Sequence, residues 1–350
     1  MSVEDHFESI LHRVTQRALD GRTDKEIERV IASGGLNEAL QETIPKVAAV
    51  LADALAESAP QMLAERMGAE ASLAEEVRSA YGPGLDFCEM VLRIANEIGE
   101  EYVERHFNDD GAPAMQWVLA HLHARACRIA EEALVLLKAG YGSGAQSRWR
   151  SLDEAVVIGA FIAQHGEQTA VRYVHHLAVD RWQLLRRAAS AGRSLDEGAT
   201  AAISEAQREV DELSERYGKH FLRDYGWAAD ALPDAAHHGF SAIVEATDFE
   251  HLRFDYRQAS AAVHASASMV LEPPDAEHLG STLVTGPSLV AIAPTALAVA
   301  RSLVVSTGTL MTSVDYISTA YVLSAMLELY DRAGTQLLDA EARITVDASG

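Results

Sequence analysis

A chain of 350 residues that is 48% hydrophobic and 23% charged carries enough apolar material for one large core or two moderate ones, which excludes a disordered protein. Its formal net charge of −23 argues against broad, sequence-blind affinity for nucleic acid, because that affinity comes mainly from lysine and arginine neutralising phosphates. The acid is unevenly spread: residues 1–112 hold 10 basic and 23 acidic side chains, residues 113–233 hold 14 and 15, and residues 234–350 hold 5 and 14, so any RNA site has to be small and local to the middle third.

The first twenty residues carry Glu4, Asp5 and Glu8 and no long apolar run, so neither a secretory signal nor a transit peptide is visible and a cytoplasmic location is expected. Residues 1–110 read as an acidic N-terminal helical region with breaks at Gly34-Gly35 and Gly82-Pro83-Gly84. The segment from Asn108 to Pro113, rich in turn formers, marks a boundary, and residues 111–335 form the expected helical core domain. Within it, Pro113 to Lys138 places Met115, Leu119, Leu122, Ala126, Ile129, Ala133 and Leu136 at three- and four-residue intervals, one continuous apolar stripe. Gly140 to Gly144 stop that helix. A second helix, from about Gln146 to His165, should fold back on it as an antiparallel hairpin and end at Gly166. A third run covers about Gln168 to Ala189. A fourth opens on the capping box Ser194/Glu197 and closes at Gly218. Further helices are expected over about Ala235–Ala246, Asp248–Val270, Ser288–Val305 and Gly308–Arg332, with Glu272-Pro273-Pro274-Asp275 as a break and residues 336–350 as a frayed tail. Alternation of the strand type is confined to a few residues near Ile344–Val346. The expected fold class is therefore all-α, a multi-helix bundle with long antiparallel core helices.

Leu289 to Val305 is the most apolar stretch, but Pro294 and Arg301 interrupt it and it falls short of the roughly 20 residues a membrane span needs, so it reads as a buried helix. Cys88 and Cys127 both lie in helical patterns, which suits reduced, buried thiols better than a disulfide or a zinc site.

The most suggestive chemistry is Arg257 and His264. Seven helical steps of about 100° bring both side chains to nearly the same face, and Ser260 joins them there. An always-charged phosphate binder beside a side chain that titrates near neutral pH is the minimal equipment for cutting RNA. The same pair also arises by chance in a chain with 14 histidines, in which case His264 is a hydrogen-bonded structural residue.

The run Leu137-Lys138-Ala139-Gly140-Tyr141, then Arg148-Trp149-Arg150-Ser151-Leu152-Asp153-Glu154, Tyr217-Gly218, Tyr225-Gly226-Trp227, Tyr256-Arg257-Gln258-Ala259-Ser260 to Val263-His264, and Gly286-Pro287-Ser288 resembles the bacterial domain-of-unknown-function family DUF5677 over about residues 113–310. That resemblance implies an all-helical fold and brings no activity with it. A looser resemblance is to HEPN proteins, short helical bundles in which an arginine and a histidine four to six residues apart form a metal-independent ribonuclease site; Arg257 and His264 have six residues between them. It implies a homodimer with the two motifs meeting at the interface, an RNA substrate, and a toxin, antiphage or stress role; a regulatory protein partner is a separate expectation.

On that resemblance His264 moves the proton and Arg257 holds the scissile phosphate, with Tyr256 or Ser260 orienting one of them. Arg150 and Glu154, four apart on one helix, supply either a supporting polar layer or simply a structural ion pair. No metal, cofactor or membrane partner is expected. His121 and His123, His175-His176 and His237-His238 point to different helix faces and lack a partner at ligand spacing. The glycines of 140–144 follow no strand and precede no Gly-Lys-Ser, so they read as a helix turn and not a phosphate loop. Trp149, Trp182 and Trp227 fill a core or an interface, or one of them lines a base-stacking surface. The alternative to a ribonuclease is a non-catalytic helical scaffold or sensor that binds a protein partner or small ligand.

Overall fold

A computed structural model describes residues 36–107, 112–190, 197–232, 239–247, 286–313 and 319–349, with four isolated positions nearer the N-terminus. All regular structure among the described residues is helical: α1 (Leu36–His106), α2 (Ala114–Lys138), α3 (Gly142–His165), α4 (Glu167–Ser190), α5 (Glu197–Tyr217), two short 3-10 segments (Lys219–Leu222 and Gly226–Ala231), α6 (Phe240–Glu245), α7 (Ile292–Thr312) and α8 (Thr319–Ser349). The fold is an all-α multi-helix bundle.

Two compact units divide at Ser72/Leu73. In the first, the described helix is dressed with one-turn side-chain pairs, Gln61 with Glu65 and Arg66 with Glu70, on an exposed surface. The second unit is organised around the α2–α3 hairpin, which packs two apolar clusters along its length. The cluster near the hairpin turn joins Tyr81, Leu85, Cys88 and Val91 of α1 to Leu134, Trp149, Leu152, Ile292, Leu303 and Leu337. The cluster at the open end joins Tyr102 to Leu119, Phe161, Ile162, Val179, Val210, Phe221, Trp227 and Ile243. Residues 77–102, assigned on sequence to the N-terminal region, thus supply buried side chains to the same cores as the helices beyond residue 113.

The hairpin forms as its sequence dictates. The α2 stripe is buried from Val118 to Leu137, and Gly140, with φ +80°, ends the helix in a conformation that glycine adopts without strain. Two positions on, a Cβ on Gly142 would lie 2.2 Å from the Val290 carbonyl oxygen, so only glycine lets the segment before α7 pass this close to the start of α3. At the other end, the Glu167 carboxylate that opens α4 accepts from the Ala114 and Met115 amides at 2.7 and 3.0 Å, satisfying two of the orphan donors of α2. Gly166 and Gly218 end α3 and α5 with positive φ.

Three local expectations are corrected. Helix α1 runs through Gly82-Pro83-Gly84, because the stripe Tyr81, Leu85, Cys88, Leu92 continues unbroken and packs on α7 and α8, an apolar gain that outweighs the weak local propensity. The expected start of a helix at Gly308 falls inside α7, whose buried stripe carries on through Leu303, Leu310 and Met311. The tail from residue 336 continues α8 to Ser349 and buries Leu337 and Ala340, and Ile344–Val346 are helical. The helix expected over Asp248–Val270 and the cap residue Ser194 lie outside the described residues. Helix α7 is long and apolar enough by composition to cross a membrane, and here it is a core helix: Trp149 Nε1 donates to Ser302 Oγ at 3.1 Å across its interface with α3.

Candidate functional site

Of the residues singled out on sequence, Arg257, His264, Tyr256 and Ser260 lie outside the described residues, as do His237 and His238. Arg150 and Glu154 are both on α3, half-buried and one turn apart. The Glu154 carboxylate accepts a hydrogen bond from the Tyr225 hydroxyl at 2.6 Å, so its partner comes from the segment between the two 3-10 turns.

Tyr225 is held there by unusual means. Its backbone is left-handed, with φ 58°, a conformation that costs a bulky residue energy unless its surroundings fix it. The fixing comes from Arg172 of α4. Its guanidinium donates to the Trp227 carbonyl at 2.9 Å, to the Gly226 carbonyl at 3.3 Å and to the Asp230 carboxylate at 2.6 Å. The rings of Tyr217 and Phe221 lie 4.6 and 5.3 Å from the guanidinium carbon. Trp227 is buried edge-on against Phe161 and Tyr173. The structure therefore gathers Glu154, Tyr217, Tyr225, Gly226 and Trp227, all from the quoted motifs, around an arginine that was not singled out. The signal for Arg172 was present: Thr169, Arg172, His176 and Val179 follow one another at three- and four-residue steps on the buried face of α4.

The histidines of this region are structural partners. His176 Nε2 donates to the Arg223 carbonyl at 3.0 Å, and its other nitrogen lies 3.3 Å from Asp180. His175 pairs with the Tyr217 hydroxyl at 2.8 Å; burial, and then the nearby Arg216 charge, hold its ring below the ordinary histidine value. His121 bonds the Trp117 carbonyl of its own helix at 2.7 Å. Among the described residues no three metal-ligating side chains converge.

His123 is a separate feature. It is buried, bonds the Ala95 carbonyl of α1 through Nε2 at 3.0 Å and Ser306 of α7 through Nδ1 at 3.1 Å, and so ties three helices together. The Ala95 carbonyl can only accept, so Nε2 carries the proton and Nδ1 accepts from the Ser306 hydroxyl. Burial keeps the ring neutral by lowering its pKa. His123 and Cys127 form the floor of a 470 Å³ cavity between α1 and α2, rimmed by Asn96, Glu100, Glu104 and Arg128. Burial pushes the Cys127 thiol up to about 12, which disfavours the thiolate that a nucleophile needs. Cys88, likewise free and buried, is also pushed up to about 12.

Fold and site together define an all-helical bundle protein whose described polar centre is an arginine clasp on a Tyr-Gly-Trp segment. Residues 116–275 match the model of a family of unknown function (DUF5677), a span that holds the α2–α3 hairpin, the Arg172 clasp and the positions of Arg257 and His264. No curated protein and no solved structure matches the chain.

Proposed function

We propose that the protein is a metal-independent endoribonuclease of the HEPN type, acting in the cytoplasm as a toxin or antiphage effector. The observation that carries the reading is the Arg257–His264 pair, seven residues apart within the family-matched span of an all-helical chain. His264 takes the proton from a ribose 2′-hydroxyl as that oxygen attacks phosphorus. The bond from phosphorus to the 5′-oxygen breaks, and the departing oxygen takes up a proton. Arg257 holds the phosphate through its planar fork and offsets the charge that grows on it. The products are a 2′,3′-cyclic phosphate and a 5′-hydroxyl. By the same resemblance the active form is a homodimer with the two pairs facing across the seam; a regulatory protein partner controls it. Arg150 and Glu154 belong to the supporting scaffold, since Glu154 is engaged by Tyr225.

The test is RNA cleavage by the full chain in excess chelator, compared with His264→Ala and Arg257→Ala after both are confirmed to be folded. Chelator-resistant cutting that leaves cyclic-phosphate ends and disappears in both variants is the expected result. Cutting that survives both substitutions overturns the site. A second reading, a non-catalytic scaffold or sensor for a small ligand, draws support from the 470 Å³ cavity over His123 and Cys127; chelator-resistant cleavage that depends on His264 decides against it.

A further inference from the structure

A groove of 770 Å³ opens along the C-terminal half of α4, lined by Trp182, Gln183, Arg186, Arg187, Ser190 and Asp224. Its volume lies within the roughly 300–1,000 Å³ of small-ligand sites. Trp149 and Trp227 are buried, whereas Trp182, like the exposed Trp117 of α2, reaches the surface: it is half-exposed, with its indole edge fixed by a 2.8 Å bond from Nε1 to Gln207 of α5. The Arg186 guanidinium carbon sits 4.7 Å from the indole centroid.

Both arginines are exposed, and neither has a carboxylate within ion-pair reach among the described residues, in a chain where acidic side chains outnumber basic ones 52 to 29. Arginines in the last turn of a helix commonly serve its unpaired carbonyls. Here Ser190 Oγ donates to the carbonyls of Arg186 and Arg187, at 3.0 Å to each, while the Arg186 guanidinium lies over the Trp182 ring and Arg187 makes a long 3.5 Å bond to Gln183 Oε1.

We infer that this groove binds a nucleotide unit of single-stranded RNA, with the base stacked in the Trp182–Arg186 layer and its phosphate held by Arg186 and Arg187. An aromatic face beside guanidiniums that have no carboxylate partner is the pattern by which proteins take single strands without reading their sequence. Asp224 supplies an acceptor for a ribose hydroxyl or an exocyclic amine. The inference rests on the ribonuclease reading for its choice of ligand and deepens it by stating where the strand lies, in the near-neutral middle third of the chain.

The test is fluorescence anisotropy of a labelled 12-nucleotide single-stranded RNA with the full chain carrying His264→Ala, so that the probe survives, with adenosine monophosphate as competitor. Arg186→Gln/Arg187→Gln should weaken RNA binding at least tenfold and flatten the slope of log affinity against log salt by about 0.7, the value for one phosphate contact on a single strand. Trp182→Leu should weaken it about fivefold or more, while Arg332→Gln on α8 leaves it unchanged. Competition by the monophosphate identifies a site that also takes a free nucleotide; its absence identifies one that needs the strand. RNA affinity that is undetectable at low salt, or equal in the double variant and the parent, overturns the inference. The two readings separate cleanly: groove-dependent binding without any cleavage by the unsubstituted chain sinks only the ribonuclease, and His264-dependent cleavage with groove-independent binding sinks only the groove.

Discussion

The Tyr225 hydroxyl and the Glu154 carboxylate meet at 2.6 Å although 71 residues separate them, and this bond fastens the segment between the two 3-10 turns to the central hairpin. The acceptor is a carboxylate and the bond is half-buried, so its loss should exceed that of an exposed pair. Tyr225→Phe is expected to cost about 1–2 kcal/mol in urea denaturation followed by circular dichroism. Glu154→Gln, which keeps an acceptor but not the charge, should cost less. Identical midpoints for both variants and the parent would show that the bond contributes nothing to the fold.

Arg172 is the next member of this assembly. Its side chain is 7% exposed, and one guanidinium serves two carbonyls and a carboxylate. Arg172→Met leaves those acceptors without a donor, and about 2–4 kcal/mol of stability should be lost. Arg172→Lys retains the charge, but a single ammonium cannot reproduce the planar fork or the stacking on Tyr217, so it should recover less than half of that loss. A lysine variant as stable as the parent would mean that charge alone holds the segment.

What the sequence disclosed about this protein follows the range of the interactions involved. The α2 stripe, the turn at Gly140 and the helix ends at Gly166 and Gly218 depend on residues within a turn or two, and each appears where its local pattern places it. Gly82-Pro83-Gly84 misled because the stabilising partner, Leu337, lies on the last helix, and no local pattern announces it. Glu154 stands one turn from Arg150, yet its carboxylate accepts from Tyr225, since spacing along one helix cannot rank a neighbour from another element. Arg172 lies on the buried face of α4, and its acceptors, the carbonyls of Gly226 and Trp227, come from a segment more than 50 residues away that no pattern along α4 announces. For Arg257 and His264 the spacing is the whole of the argument, because both lie outside the described residues.

The approach of α1 to α8 at Gly84 can be measured directly. A Cβ added there would lie 2.5 Å from Leu337 Cγ and 3.2 Å from the Leu337 backbone nitrogen, too near for either to accommodate without movement. Gly84→Ala raises helix propensity by about 1 kcal/mol, but overpacking of this kind typically costs about 1–3 kcal/mol, so a net destabilisation is expected. Leu337→Ala alone should cost about 2–5 kcal/mol as a cavity-forming change in the core. Combining the two should cost less than the sum, because the space vacated by the leucine accepts the new methyl. Strict additivity in the double-mutant cycle would refute the contact.

His123 links the core to pH. The unfolded chain titrates this ring near 6.5, whereas burial holds the folded ring below that value. Below about pH 6.5 the unfolded state therefore takes up a proton that the folded state refuses, and the equilibrium shifts toward unfolding as pH falls from 6.5 to the folded pKa; above 6.5 both states are neutral and the term vanishes. The groups facing the ring are the Ala95 carbonyl, the Ser306 hydroxyl and the Cys127 thiol, none of which ionises in that window to offset the effect. Glu100, Glu104, Glu131 and Arg128 line the adjoining cavity. His123→Gln retains an amide donor for the Ala95 carbonyl and removes the titration. Its stability relative to the parent should rise as pH is lowered from 7 toward 5.5, by at most about 1.4 kcal/mol per pH unit. Parallel stability curves for the two proteins across that interval would show that the ring charges equally readily in both states, and that it does not lock α1, α2 and α7 as a neutral group.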